Sequence, residues 1–436
     1  MRRLTAYLNG TRIGWFEQLR SGAVVLTYDR SWQHRRTTTE LSLSLPKSRA
    51  RHEGAEPLNY LWNLLPDSDA VLNRWASQFG VSARNPMALL AYVGVDAAGA
   101  VQLVNSEDFD DAELTGNSGI DVIGEAGVAE HLRVLRADPS AWATRNQTSG
   151  YFSLAGAQSK FTLAKSPKGW GVPTGFAPST HIVKPGVNGL ALSDLNEHLT
   201  MRAAHHLGLL VAESRLMRFE DQTAIVIERY DRGLARDGEG TSVVVRIHQE
   251  DLAQATGTPP TQKYQSEGGP GIAAIGALMA QELGQGAGFH LSRFFDATLF
   301  NWAALATDAH AKNYALLYGV WPGVRAGLAP LYDLGSVLAY PDLNQRKAAL
   351  AMSFGGHYRA YEIEPRHIMA EARGLGISEE RVVHRAREIV RGLPDAFSQA
   401  VREISQVGLD DAQAEFASSL IDFSSERSAT LLAQLA

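Results

Sequence analysis

The chain of 436 residues contains no cysteine. Disulfides, thiolate nucleophiles and cysteine-ligated zinc are thereby excluded, and a reducing compartment suits such a chain. No apolar run approaches the roughly 18–20 residues needed to span a bilayer, so no membrane partner is expected. Residues 1–16 carry positive charge but no continuous apolar stretch, which predicts no signal peptide. Internal repeats and low-complexity tails are missing as well. A net charge of −6 argues against the whole chain being a general nucleic-acid binder. These absences together predict a soluble cytoplasmic protein.

What is present divides the chain. Its length exceeds one compact core, so two or three domains are expected. Residues 1–110 form a β-rich module: Leu4, Ala6 and Leu8 alternate with other residues, Asn9-Gly10 supplies a type I′ turn, and Ile13 and Trp15 resume the alternation. Residues 24–28 and 41–45 predict further strands, the second stopped by Pro46. Residues 111–150, acidic and then rich in Asp, Ser, Thr and Asn, suit a connector. From 151 to 235 strands alternate with one helix, over 194–207, capped at Ser193 or Asp194 and ended by Gly208. The almost continuously apolar run 224–228 predicts a strand buried on both faces. From 236 to 436 the pattern is mainly helical, with apolar faces over 291–306 and 379–390. The fold class expected is α+β, and the order is that of a bilobal, divergent protein-kinase-like fold.

One short stretch carries most of the chemical information. In residues 307–313, Thr-Asp-Ala-His-Ala-Lys-Asn, Asp308 stands five residues ahead of Asn313. Kinase catalytic loops place their base and a magnesium-holding Asn at that interval. A hairpin-like stretch follows, and then the turn Tyr332-Asp333-Leu334-Gly335, where a second acid could grip the metal. Lys184, ending a short strand, could reach the nucleotide phosphates as a point charge. The small-residue loop 153–159 could lay backbone N–H groups against them, although it lacks the Gly-Lys-Ser/Thr ending of a Walker loop. Glu228 and Arg229 follow the buried strand, where a hinge would meet adenine. Each residue alone has a plainer use: Asp and Asn close turns, and strand-end lysines extend into solvent. His310 reads as a hydrogen-bonding member of its loop, with Asp308 its near partner. The order of all these features points to phosphoryl transfer from ATP with Mg²⁺, a cation that favours oxygen ligands.

Six segments extend this reading: Ser153–Lys160, Thr180–Lys184, Glu228–Arg232, His248–Leu252, Lys263–Pro270 and Thr307–Asn313. Together they resemble the HipA family of toxin Ser/Thr protein kinases, as do Asn63–Asp67 and Gly94–Val101 upstream. The resemblance implies that Asp308 is catalytic and that Asn313 and Asp333 hold Mg²⁺. It further implies that Lys184, Ala155, Gly156, Ala157, Gln158, Glu228, Tyr230, His310 and Lys312 contact ATP. Ser153 matches a serine that family members autophosphorylate, in a mobile loop over the nucleotide. Ser159 stands where some members have an acid, so no acidic contact is carried over. Glu197 is a possible partner of Lys184. The implied substrate is an aminoacyl-tRNA synthetase and the implied partner a HipB-type helix-turn-helix antitoxin, with DNA met only through that partner. Two other functions stay open: a small-molecule kinase of the antibiotic-phosphotransferase type, and a catalytically silent corepressor.

Overall fold

In the computed structural model, residues 2–36, 39–105, 118–142, 152–236, 240, 242–321, 324–340, 342–405 and 408–435 are described. The N-terminal unit is a five-stranded antiparallel sheet, in the order Arg51–His52, Val24–Tyr28, Thr11–Gln18, Arg3–Leu8 and Val101–Asn105. Asn9 and Gly10 both have positive φ (48° and 70°), as a type I′ hairpin requires. Helices Glu56–Asn63, Asp69–Phe79 and Pro86–Val93 accompany this sheet. The last two begin at side-chain caps, Ser68 on Val71 N–H and Asn85 on Ala88 N–H.

Residues 41–45 do not form the strand that their alternation predicts. Leu41 and Leu45 enter the core from a run of bends and turns, while Ser42 and Ser44 donate their hydroxyls to the Gln254 carbonyl. The Leu43 N–H donates to the Glu250 carboxylate at 2.9 Å. Leu41 and Leu45 pack in the N-terminal core and Leu43 against that of the helical lobe, so no sheet is needed to satisfy the alternation.

A six-stranded antiparallel sheet forms the second unit, in the order Ser214–Phe219, Gln222–Glu228, His181–Lys184, Phe161–Ser166, Gly169–Thr174 and Gly119–Val122. Strand Gln222–Glu228 is buried on both faces, as its apolar run predicts. Its Ala224 and Val226 pack in one core with the N-terminal unit, while Ile225 and Ile227 pack in the other core, with the helical lobe. The stretch read as a connector supplies the edge strand Gly119–Val122 and the helix Gly124–Ala137, whose Val128, Ala129, Leu132 and Leu135 join the N-terminal core. Residues 111–117 and 143–150 of it lie outside the described residues.

Helix Ser193–His206 starts one residue earlier than expected, and neither proposed residue caps it. Leu192 occupies the N-cap position, and the Ser193 hydroxyl instead accepts from Val187 N–H at 2.6 Å. In the helical lobe, Ala287–Ala304 ends where Leu305 turns left-handed (φ 50°). Helix Glu379–Ser405 continues well past residue 390, through Pro394, and packs against Asp411–Gln434. Continued burial of Leu393, Ala396, Phe397 and Ala400 offsets the hydrogen bond that proline removes. Among the described residues, no helix is long and apolar enough to cross a membrane.

The two sheets meet at a buried ionic cluster. Arg229 forks onto Asp231 at 3.0 and 2.8 Å, and Arg232 reaches Asp96 at 3.0 Å. Arg246 lies 3.6 Å from Asp96, and Gly99 N–H donates to Asp231 at 2.6 Å. Burial alone would raise both carboxyl pKa values, but the neighbouring guanidiniums outweigh it and hold both below the ordinary range. Removing one partner from such a cluster strands the others in low dielectric. Asp96→Ala is expected to cost about 3–5 kcal/mol of folding stability, measured by urea denaturation. A change below about 1 kcal/mol would show that the cluster is dispensable for the junction.

Candidate active site

A cleft of about 420 Å³ lies between the small sheet and the helical lobe, within the range of small-ligand pockets. The site residues expected from the sequence, Ser153 apart, all line it: Ala155, Gly156, Ala157, Gln158, Lys184, Glu228, Tyr230, Asp308, His310, Lys312, Asn313 and Asp333. Leu154, Ile182, Val187 and Ile227 add an apolar wall suited to a planar base.

Lys184 ends its strand facing the helix Ser193–His206. Its ammonium donates to Glu197 at 2.6 Å and to Asp333 at 2.9 Å, and its side chain is only 5% exposed. Burial would push the lysine pKa down, yet the two carboxylates outweigh it and raise the pKa above the ordinary value. Asp333 is held low: burial opposes ionisation, but Lys184 and Lys160 favour it more strongly. Glu197 is pushed up by its burial, an effect that Lys184 only partly offsets. Asp333 sits at φ 58°, a left-handed conformation that Asp tolerates better than most residues. That strained turn sets the carboxylate between Lys184 and the opposite wall.

The loop carrying Asp308 follows the helix that Leu305 ends. The Asp308 carbonyl accepts from His310 N–H at 2.8 Å and from the Asn313 carboxamide nitrogen at 2.7 Å. This second bond leaves the Asn313 carboxamide oxygen as the atom that could hold a cation. The Asp308 carboxylate accepts the hydroxyl of Tyr264. Burial pushes the Asp308 pKa up, against that hydrogen bond, and Asp333 adds to the rise. The expected side-chain bond between His310 and Asp308 is not formed. The His310 ring instead stands edge-on to Tyr264 at 4.9 Å, its Nδ1 buried without a partner. Burial, with Lys263 adding, lowers its pKa to about 4, so it is neutral at pH 7.

Ser153 is not among the residues that line the cleft. The residue is 0% exposed, its hydroxyl donates to the Leu64 carbonyl at 2.7 Å, and its N–H donates to the Asp96 carbonyl at 3.0 Å. The loop then turns at Gly156 (φ 101°), where a Cβ would come within 2.6 Å of the Lys160 ammonium. Lys160 donates to the Ala155 carbonyl at 2.7 Å. Burial, with the nearby Lys184 charge, lowers its pKa to about 8.

Lys160, Tyr264, Lys263 and Asp67 belong to the site yet carry no role in the sequence reading. All four fall inside segments singled out there, Ser153–Lys160, Lys263–Pro270 and Asn63–Asp67. The partners of Asp67, Lys263 and Tyr264 lie far away in sequence, and Lys160 bonds only a backbone carbonyl five residues back, which no local pattern marks. Lys312 is also a surprise: its ammonium is paired with Asp67 of the N-terminal unit.

Two oxygen donors, Asn313 and Asp333, face one cleft, and no group of three or more His, Cys, Asp or Glu residues forms a metal cage among the described residues. That donor set fits Mg²⁺, which keeps several waters and takes the remainder of its shell from phosphate oxygens. Lys184→Met is expected to leave Glu197 and Asp333 repelling each other, costing about 3–5 kcal/mol at pH 8. The penalty should shrink toward pH 5, where the orphaned carboxyls can protonate. Urea unfolding at both pH values checks this, and an equal loss at both would exclude the shared-cation account.

Comparison with known proteins agrees with this geometry. Residues 4–104 match the HipA N-terminal domain and residues 152–397 the HipA-like C-terminal domain. Y4mE of Sinorhizobium fredii, a kinase by name only, is 34% identical over 415 residues, 95% of each chain. The serine/threonine-protein kinase toxin HipA of Shewanella oneidensis is 28% identical over 375 residues, covering 81% of this chain and 79% of that one. The solved complex of Shewanella oneidensis MR-1 HipA with HipB and operator DNA contains a chain that superposes with a TM-score of 0.82 at 25% identity, covering 99% and 98% of the two chains. Matches over both halves of the chain and across its whole fold place this protein in the HipA family, with the family's kinase-like fold.

Proposed function

We propose that this protein is an ATP- and Mg²⁺-dependent Ser/Thr protein kinase acting as the toxin of a toxin–antitoxin module. The observation that carries the reading is the convergence of Lys184, Asp308, Asn313 and Asp333 on one cleft. Phosphoryl transfer asks a protein mainly to hold the triphosphate, neutralise its charge and align the acceptor. Lys184, kept charged and anchored by Glu197, supplies a fixed cation for the phosphates. Asn313 and Asp333 would hold Mg²⁺, which when bound neutralises charge building on the phosphate oxygens. Asp308 orients the acceptor hydroxyl. As the oxygen–phosphorus bond forms and the bond to ADP breaks, the hydroxyl proton passes to its carboxylate. Tyr264 occupies one Asp308 oxygen, which leaves the other to accept the acceptor hydroxyl.

Self-modification at Ser153, fully buried here, requires its loop to come out before the hydroxyl can accept phosphate. A phosphate dianion there would lose the hydroxyl's bond to Leu64 and meet a close-packed apolar setting. The loop would have to leave its place, taking with it the backbone that faces the nucleotide. By kinship, the partner is a HipB-type antitoxin that carries the DNA contact, the substrate is an aminoacyl-tRNA synthetase, and the site of action is the cytoplasm. Retention of all four core groups weighs against a silent corepressor.

Incubation with Mg-ATP followed by mass spectrometry is expected to find phosphate on Ser153. Asp308→Gln should reduce that incorporation by about 10²–10⁴-fold with the fold intact. An unmodified wild-type chain, inert toward protein acceptors as well, would refute the kinase reading.

A further inference from the structure

The N-terminal unit lines the cleft with Asn63 and Ala98. The residues just after helix Glu56–Asn63 bond both the nucleotide loop and the segments that flank Asp308. The Leu64 carbonyl holds the Ser153 hydroxyl, and Asp67 N–H donates to the Gly156 carbonyl at 3.1 Å. The Asp67 side chain, 11% exposed, then takes two ammonium groups at once: Lys263 at 2.9 Å on one oxygen and Lys312 on the other. Burial would raise its pKa, but the two lysines outweigh it and keep it ionised.

Both lysines lead directly to the reacting groups. The Lys263 carbonyl accepts from Ala311 N–H at 3.2 Å, and the next residue, Tyr264, bonds Asp308. The Lys312 carbonyl accepts from the Tyr332 hydroxyl at 2.8 Å, one residue before Asp333. Asp67 is thereby linked through Lys263 to Tyr264, the partner of Asp308, and through the Lys312 carbonyl to Tyr332, the residue before Asp333. It also absorbs two positive charges. Without it, Lys263 and Lys312 would lie in a cleft whose remaining carboxylates include Asp308, and an ammonium paired with Asp308 would occupy the acceptor's place.

We propose that Asp67 is a positioning residue for phosphoryl transfer, supplied by the N-terminal unit. It holds Lys263 and Lys312 off the Asp308 carboxylate and fixes the loop that carries it. The N-terminal unit is then part of the kinase site and not only a brace for it. This inference rests on the kinase reading above. Its predicted signature is a selective loss in turnover, because the Gly156 contact comes from the Asp67 backbone and survives a change of side chain.

The test compares wild type, Asp67→Asn and Asp67→Glu in Mg-ATP turnover with a protein acceptor, alongside ATP affinity and urea unfolding. Asp67→Asn is expected to lower kcat about 10–100-fold, as a small misplacement of catalytic groups does. ATP affinity should change less than about threefold, and Asp67→Glu should recover part of kcat. Adding Lys263→Met to Asp67→Asn should restore part of the turnover, a coupling that a merely structural role would not produce. Unchanged kcat in folded Asp67→Asn, or equal loss of ATP affinity and kcat with no recovery in the second variants, would overturn the proposal. A wild type without turnover would instead remove the kinase reading, and the proposal with it.

Discussion

Charge brought into a buried cleft must find a partner, and this constraint shapes the site. Lys184 cannot remain ionised at 5% exposure without Glu197 and Asp333, and Asp333 is held in a left-handed turn to reach it. One ammonium thus ties together a sheet strand, a helix and the turn after the Asp308 loop. The attraction outweighs desolvation only because the pairs are close and the positions fixed. A nucleotide entering the cleft meets charges whose positions are already set, so little reorganisation is left to the moment of reaction.

Pairing of the same kind joins the units. Asp96 and Asp231 hold three arginines at the meeting of the two sheets. Glu228, Arg229, Tyr230 and Asp231 all line the cleft, while the guanidiniums of Arg229 and Arg232 are engaged in the buried cluster. Alternation along strand Gln222–Glu228 does the apolar equivalent, sending neighbouring residues into two different cores. The hinge region is therefore rigid on one face and exposed to ligand on the other.

Local pattern carried much of this. The spacing of Asp308 and Asn313, a lysine at a strand end, an acid in a Tyr-Asp-Leu-Gly turn and the buried strand at 224–228 each reflect a few adjacent residues. So does the Asn9-Gly10 hairpin. Leu41–Leu45 misled, because its leucines divide between two cores and Ser42 is itself fully buried, so the alternation does not mark one face of a strand. Helix Glu379–Ser405 ran past its expected end because packing of Phe397 and its neighbours overrode the proline. His310 misled for a similar reason: nearness in sequence to Asp308 did not bring their side chains together.

The sequence by itself determined which chemical groups were on hand, their local spacing and the order of the units, since these follow from neighbours along the chain. Family membership was legible at the same level, in short segments. Tertiary structure alone decided which charges meet. Asp67 and Lys312 are 245 residues apart, Lys184 and Asp333 are 149 apart, and Ser153 finds its carbonyl 89 residues away. No periodicity reports such distances. They are set by how two cores close on each other, and that closure turns an inventory of acids and lysines into a site.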